Sequence, residues 1–158
     1  MITIRPALPA DTPGPAALSR RTINAAYRSF LGNEAVDAYL SGRTVEEYVQ
    51  HSLERCTVLY DGLVLVGCVV VQDDLIDLML IDPSCQRRGY GARLLAHLEE
   101  TLFARHDELR LESFAQNTPA NQFYAAAGWS AGEPYFDPPT GVEKVAFRRR
   151  APGATTRL

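Results

Sequence analysis

Much that would fix a protein's class at a glance is scarce in this chain. Its 158 residues hold three cysteines, Cys56, Cys68 and Cys85. These are too few and too scattered for a disulfide framework, and no C-x-x-C pair with a histidine partner offers a zinc site. Reduced thiols, a cytoplasmic location and no metal are the expectation. No apolar run reaches about 18 residues, and the opening MITIRPALPADTPG lacks the apolar stretch of a secretion signal, so no membrane association is expected. A basic excess is missing as well: 19 acids against 16 bases give a net charge of -3. That balance argues against a nucleic-acid surface, and FRRR at 147–150 reads as a solvated strand end. Repeats and linkers are absent from the pattern. What remains is 46% apolar and 22% charged, the composition of a globular chain. Its length fits one domain over residues 1–150, with 151–158 expected as a flexible tail.

The residue pattern orders that domain. ITIRPA alternates as a short strand. Leu18, Ile23, Ala26, Tyr27 and Phe30 recur as one helix, and a second opens near Thr44, a residue able to cap it. From Thr57 to Asp82 three strands follow, reversed at Asp61-Gly62 and at Asp73-Asp74. Leu94, Leu95, Leu98 and Leu102 give the helix after Gly89 one apolar face. ELRLESFA is the next strand, reached by a parallel crossover through that helix. A short helix with Pro119 near its start ends at Gly128, and two strands close the domain. The expected fold is α/β (α+β), a mixed and mostly antiparallel central sheet of about seven strands flanked by about four helices.

One junction invites chemistry. LIDLMLIDPSC, an apolar strand, runs into QRRGYGARLLAHLEE, a glycine-rich turn that opens a helix. Helix N-termini expose unpaired N–H groups and partial positive charge, so phosphates favour them. Gly89 and Gly91 let a ligand approach the backbone, and Arg87 and Arg88 add donors. The same glycines also serve a tight turn with no ligand at all. A P-loop is excluded, since no G-x-x-x-x-G-K-[ST] occurs, and a Rossmann fingerprint would stand on the first strand.

LIDPSCQRRGYGARLL resembles the acyl-CoA motif Q/R-x-x-G-x-G/A of the GCN5-related N-acetyltransferase (GNAT) family. Downstream, NTPANQFYAAAGW is similar to that family's N-x-x-A-x-x-F/L-Y-x-x-x-G-F/W segment, and with the element order the resemblance covers roughly residues 1 to 150. It implies acetyl-CoA as co-substrate, its pyrophosphate held by backbone N–H groups of Arg87, Arg88, Gly89, Tyr90, Gly91 and Ala92. It implies that Met79, Leu80 and Ile81 lie along the pantetheine arm, in a gap between the strands ending at Ile81 and at Ser113.

The resemblance also assigns roles. Tyr124 matches the tyrosine that protonates the departing thiolate; read by itself it is equally an aromatic core residue. Asn117 matches the asparagine that contacts the arm; alone it is a helix N-cap. Glu112 stands where some family members place a glutamate base, facing either cleft or solvent. Asp77, an acid inside an apolar strand, is the second candidate base, two residues beyond the position the family uses, which is Leu75 here. A water chain without a single base is a third arrangement. His51, His97 and His106 read as solvated or capping residues.

Tyr27, Phe30, Tyr39, Tyr48, Tyr135 and Phe136 are candidate walls of an acceptor site, or core. The resemblance implies direct transfer to a primary amine, in the first place that of a small molecule, with a peptide amine at a protein N-terminus or lysine as the alternative. An acyl-CoA-binding module without turnover is the reading from another class, and family likeness also allows a homodimer.

Overall fold

Strand-forming segments rich in valine, leucine and isoleucine assemble into one ladder. The structure, a computed structural model, describes residues 1–154; the last four residues of the expected tail lie outside the described residues. Among the described residues eight strands are present: β1 (Ile2–Pro6), β2 (Cys56–Asp61), β3 (Val64–Gln72), β4 (Leu75–Ile81), β5 (Glu108–Phe114), β6 (Ser130–Ala131), β7 (Tyr135–Asp137) and β8 (Val142–Arg150). Their order in the sheet is β1-β2-β3-β4-β5-β8-β6, with β7 also on β8. Among these strands only β4 and β5 run parallel. The helices are α1 (Pro13–Ala26), α2 (Arg28–Leu31), α3 (Asn33–Ser41), α4 (Thr44–Ser52), α5 (Tyr90–Phe103) and α6 (Thr118–Ala126).

The expected mixed, mostly antiparallel sheet is what forms, with more pieces than the pattern separates. The first helix does not run through Phe30; it ends at Ala26, and Gly32, at φ 86°, divides α2 from α3. A residue at positive φ cannot continue a right-handed helix. Nothing in the apolar period announces α3, which buries only Val36. Thr44 does not cap α4, because Arg43 holds the cap position and Thr44 is the first helical residue. The last segment makes three strands rather than two, interrupted at Gly132–Pro134.

Each face of the sheet buries its own cluster. Leu94, Leu95, Leu98 and Leu102 of α5 pack with Leu109, Leu111, Tyr124 and Phe147 on one side. Leu18 of α1 packs with Val58, Cys68, Val70 and Leu80 on the other. Full burial of each such leucine contributes roughly 2 kcal/mol. The protein is therefore two helical layers on a sheet, α5 and α6 on one face and α1 to α4 on the opposite one.

Candidate active site

The parallel pair sets the site. β4 and β5 share only two register positions, Leu75 with Arg110 and Ile76 with Leu111. Beyond these, β4 continues to Ile81 and β5 to Phe114 without pairing to each other, so the strands part like a V. A strand added between them would find backbone donors and acceptors on both sides. The V opens toward the end of β4 that leads into the glycine-rich turn.

Asp77 sits just past the apex for a local reason. Val70 of β3 faces Leu78 and Val71 faces Ile76, so Asp77 is the extra residue of a β-bulge. A bulge turns its two residues toward one face. Leu78 packs with the α1-side cluster, and Asp77 accepts from the Tyr48 hydroxyl of α4 at 2.5 Å. Burial first, then the Asp77 carboxylate, push the Tyr48 phenol well above its usual range. On β5, Leu109 and Leu111 enter the α5-side core. By strand alternation Glu112 shares the opposite face with Phe114, whose ring meets Tyr27 at 5.3 Å and Phe30 at 5.0 Å. Burial and the neighbouring Glu112 carboxylate push Tyr135 up to about 12. Thus the two candidate bases flank the apex, one per strand, both on the α1–α4 side.

Tyr124 occupies the other face. It is 9% exposed, with its ring 5.3 Å from Phe123, 6.4 Å from Trp129 and 5.5 Å from Phe147. Burial first, and Tyr27 second, raise its phenol well above the ordinary value. It keeps its proton at neutral pH. The core reading and the acid reading of this residue are compatible.

At the mouth of the V the chain builds a cradle of backbone N–H groups. Arg87 has φ 63° and Gly89 φ 84°; a left-handed non-glycine residue costs roughly 1–2 kcal/mol, and such strain gathers at functional turns. The first helical bond of α5 runs from the Arg93 N–H to the Gly89 carbonyl, so the N–H groups of Tyr90, Gly91 and Ala92 lack partners within the helix. No side chain caps them. A Cβ on Gly89 would meet nothing within 4 Å, whereas one on Gly91 would come within 3.4 Å of the Phe123 ring. Gly89 borders open space, and Gly91 lets α5 approach α6. Arg88 and Ala92 are exposed beside them.

Along β4, Met79 and Ile81 touch the α5-side cluster while Leu80 is buried in the α1-side one. Their main chain pairs with β3 on one edge and borders the V on the other. Asp77 lies about 13 Å back along the strand from Ile81. Asn117 holds the N-cap position of α6 but makes no capping bond, which leaves its amide free of that duty. His51 donates from Nδ1 to its own helix, at the Glu47 carbonyl, 2.7 Å away.

Three supports were not legible in the sequence. Asp82, 6% exposed, accepts from Nε and Nη2 of Arg21 at 2.9 and 2.5 Å and from the backbone and hydroxyl of Ser84. It clamps α1 to the turn entering the cradle. Tyr90 donates to Asp61 at 2.6 Å, tying the cradle to the β2–β3 hairpin. Asn121 of α6 donates to the carbonyls of Phe114 and Ala115 at 3.1 Å, fixing the end of β5. Only the local turn residues around Asp82 gave any signal; its partner lies 61 positions away.

Known proteins share these elements. The family described as Acetyltransferase (GNAT) family matches residues 22–129, a span that includes both motifs and the β4–β5 pair. A 69-residue stretch is 32% identical to the peptidyl-lysine N-acetyltransferase YiaC of Escherichia coli and covers 44% of each chain, less than half of that relative's length. A solved GCN5-related N-acetyltransferase from Rhodopseudomonas palustris superposes with a TM-score of 0.81 at 22% identity, over 94% of this chain and 95% of that one. The PaiA N-acetyltransferase of Thermoplasma acidophilum, solved in complex with coenzyme A, gives 0.81 at 15% identity over 96% and 99%. The ribosomal-protein-S18-alanine N-acetyltransferase of Escherichia coli gives 0.68 at 22% over 100% and 99%. Identities this low speak for the fold, and the family match speaks for more. Since that match spans well over half of its length and takes in the cradle, the V and the α6 tyrosine, the chain belongs to the acetyltransferase (GNAT) family.

Proposed function

We propose that this enzyme transfers the acetyl group of acetyl-CoA directly to the primary amine of a small molecule. The observation that carries the reading is the β4–β5 split, with a cradle of free N–H groups at its mouth and carboxylates at its apex. The pyrophosphate belongs at residues 87–92, where unpaired donors and two arginines meet it. The pantetheine arm runs back along Met79, Leu80 and Ile81, with Asn117 on its other flank, and delivers the thioester near Asp77 and Glu112.

The acceptor then comes from the α1–α4 side. Glu112 takes the ammonium proton, the amine nitrogen bonds to the carbonyl carbon, and the carbon–sulfur bond breaks with its electron pair on sulfur. Tyr124, on the opposite face, hydrogen-bonds the growing thiolate and gives up its phenolic proton late. The products are the N-acetylated amine and the free thiol of CoA. As the amide forms, the nitrogen sheds its second proton, which passes through water to restore the Tyr124 phenol, and the proton held by Glu112 goes to solvent. Asp77 is the ammonium's counter-charge rather than the base, because one of its oxygens is committed to Tyr48.

Thiol release from acetyl-CoA over panels of small amines and of lysine and N-terminal peptides tests the reading. Turnover with small amines is expected. CoA binding with no release in any panel would leave a binding module instead. A peptide acceptor is the second reading, favoured by the partial likeness to a peptidyl-lysine N-acetyltransferase; release confined to peptides would select it. Glu112→Gln should remove the acidic limb of the pH–rate profile. A limb that persists transfers the base role to Asp77 or to water.

A further inference from the structure

On the α1–α4 side of the apex lies a half-open cavity of about 220 Å³ whose wall includes Asp77. An engineered apolar cavity of about 150 Å³ is known to hold one benzene ring, so this one has room for a ring and a short chain. Its composition is uneven. Asp77 is its one charged group, at the end next to the V; among the described residues it joins no ion pair, and its one hydrogen bond comes from Tyr48. Past that end the wall is Leu78, Ile23 and Val45, with the Tyr39 ring. Ser19 also lines the space; it is 4% exposed, and its Oγ is buried without a partner among the described residues. A buried hydroxyl left unbonded costs on the order of 1–3 kcal/mol, which a ligand donor or acceptor would recover.

Resting on the reading that acetyl arrives at the apex, we propose that the preferred acceptor is a monoamine carrying a compact apolar body of about one ring. Its ammonium is received by the Asp77–Tyr48 pair, and its body lies against Leu78, Ile23 and Val45. A second cationic group on the acceptor would be driven into the apolar end of the cavity, where no carboxylate waits for it. That exclusion separates the proposed class from diamines. A lysine side chain offers the cavity only an unbranched alkyl chain and leaves the ring-sized space unfilled.

The probes are methylamine, 1,4-diaminobutane, a lysine peptide and the aromatic amine 2-phenylethylamine, each given to the whole chain with acetyl-CoA. The aromatic amine should surpass the other three in kcat/KM by at least about tenfold, the discrimination that one or two buried methylenes supply. Val45→Phe fills the cavity and should cut the advantage of the aromatic amine over methylamine by about tenfold. If that variant does not fold, Tyr39→Ala removes a wall and should lower the same ratio. A diamine or peptide preferred over the aromatic amine, or a ratio unmoved by the variants, overturns the assignment while leaving the acetyltransferase intact. Should no probe release thiol, calorimetry with the aromatic amine on the CoA-loaded protein decides: binding lost in Val45→Phe supports the cavity's role, and no binding ends it.

Discussion

Burial gives Tyr124 both of its properties. Packed against Phe123, Trp129 and Phe147, its phenol is raised well above the ordinary range, which keeps the proton available but makes it costly to release. In the acid role proposed for it, such a group acts by hydrogen-bonding charge as it develops on sulfur, and completes the transfer only once the carbon–sulfur bond is nearly broken. Tyr124→Phe keeps the ring and its packing. It should lower kcat by roughly 10- to 1000-fold with little change in acetyl-CoA affinity, checked by steady-state rates beside calorimetric titration. Unchanged turnover would remove the residue from the chemistry. The two acids at the apex differ in the same local way: Asp77 carries a short bond from Tyr48, whereas Glu112 is exposed with Tyr135 beside it.

Among the elements, the turn before α5 is the part that sequence reveals best, because its geometry needs particular residues. Gly89 at φ 84° is a position few side chains tolerate, and a glycine there is visible in the letters themselves. Gly89→Val adds roughly 1–2 kcal/mol of backbone strain, yet its Cβ meets no protein atom within 4 Å. The folded protein should therefore persist with a melting point a few degrees lower, while CoA binding should be abolished because the new side chain stands at the proposed diphosphate site. Retained calorimetric affinity would contradict this. The bulge at Asp77 is the opposite case. LIDLMLI reads as one apolar run, and nothing in its alternation marks the place where an extra residue turns an acid toward α4. The third helix escaped for want of periodic apolar residues, with Val36 alone buried. The clamp of Arg21 on Asp82 escaped because a pair 61 residues apart leaves no local trace. Motif positions are legible when backbone geometry restricts the choice of residue, and tertiary pairings are not.

At the scale of the whole molecule, charge pairs stitch the α1–α4 layer to the sheet and to itself. Arg5 binds Asp11 through two contacts, at 2.7 and 3.0 Å, and Asp11 also accepts from the Leu8 N–H and the Tyr60 hydroxyl. This joins β1, β2 and the approach to α1. Arg20 of α1 holds Glu46 of α4 and two carbonyls between them. The Arg5 guanidinium holds the Asp11 carboxyl well below the usual range, and Arg20 holds Glu46 at about 2. Both groups bind protons more weakly folded than unfolded, so stability rises with pH until the unfolded carboxylates, near about 4, have ionised. Their contribution is complete above that pH and is lost as the solution is acidified through about 2. Thermal melts between pH 7 and pH 2 should show a plateau down to about pH 4 and then a steep fall. Asp11→Asn should melt lower at pH 7, by about 1–3 kcal/mol of lost charge-assisted bonding, and fall less steeply below pH 4, since one of the linked protons has been removed. Parallel acid limbs for the two proteins would mean that Asp11 is not the group whose protonation loosens the α1 layer, and the acid sensitivity would then have to come from the other ion pairs of that face.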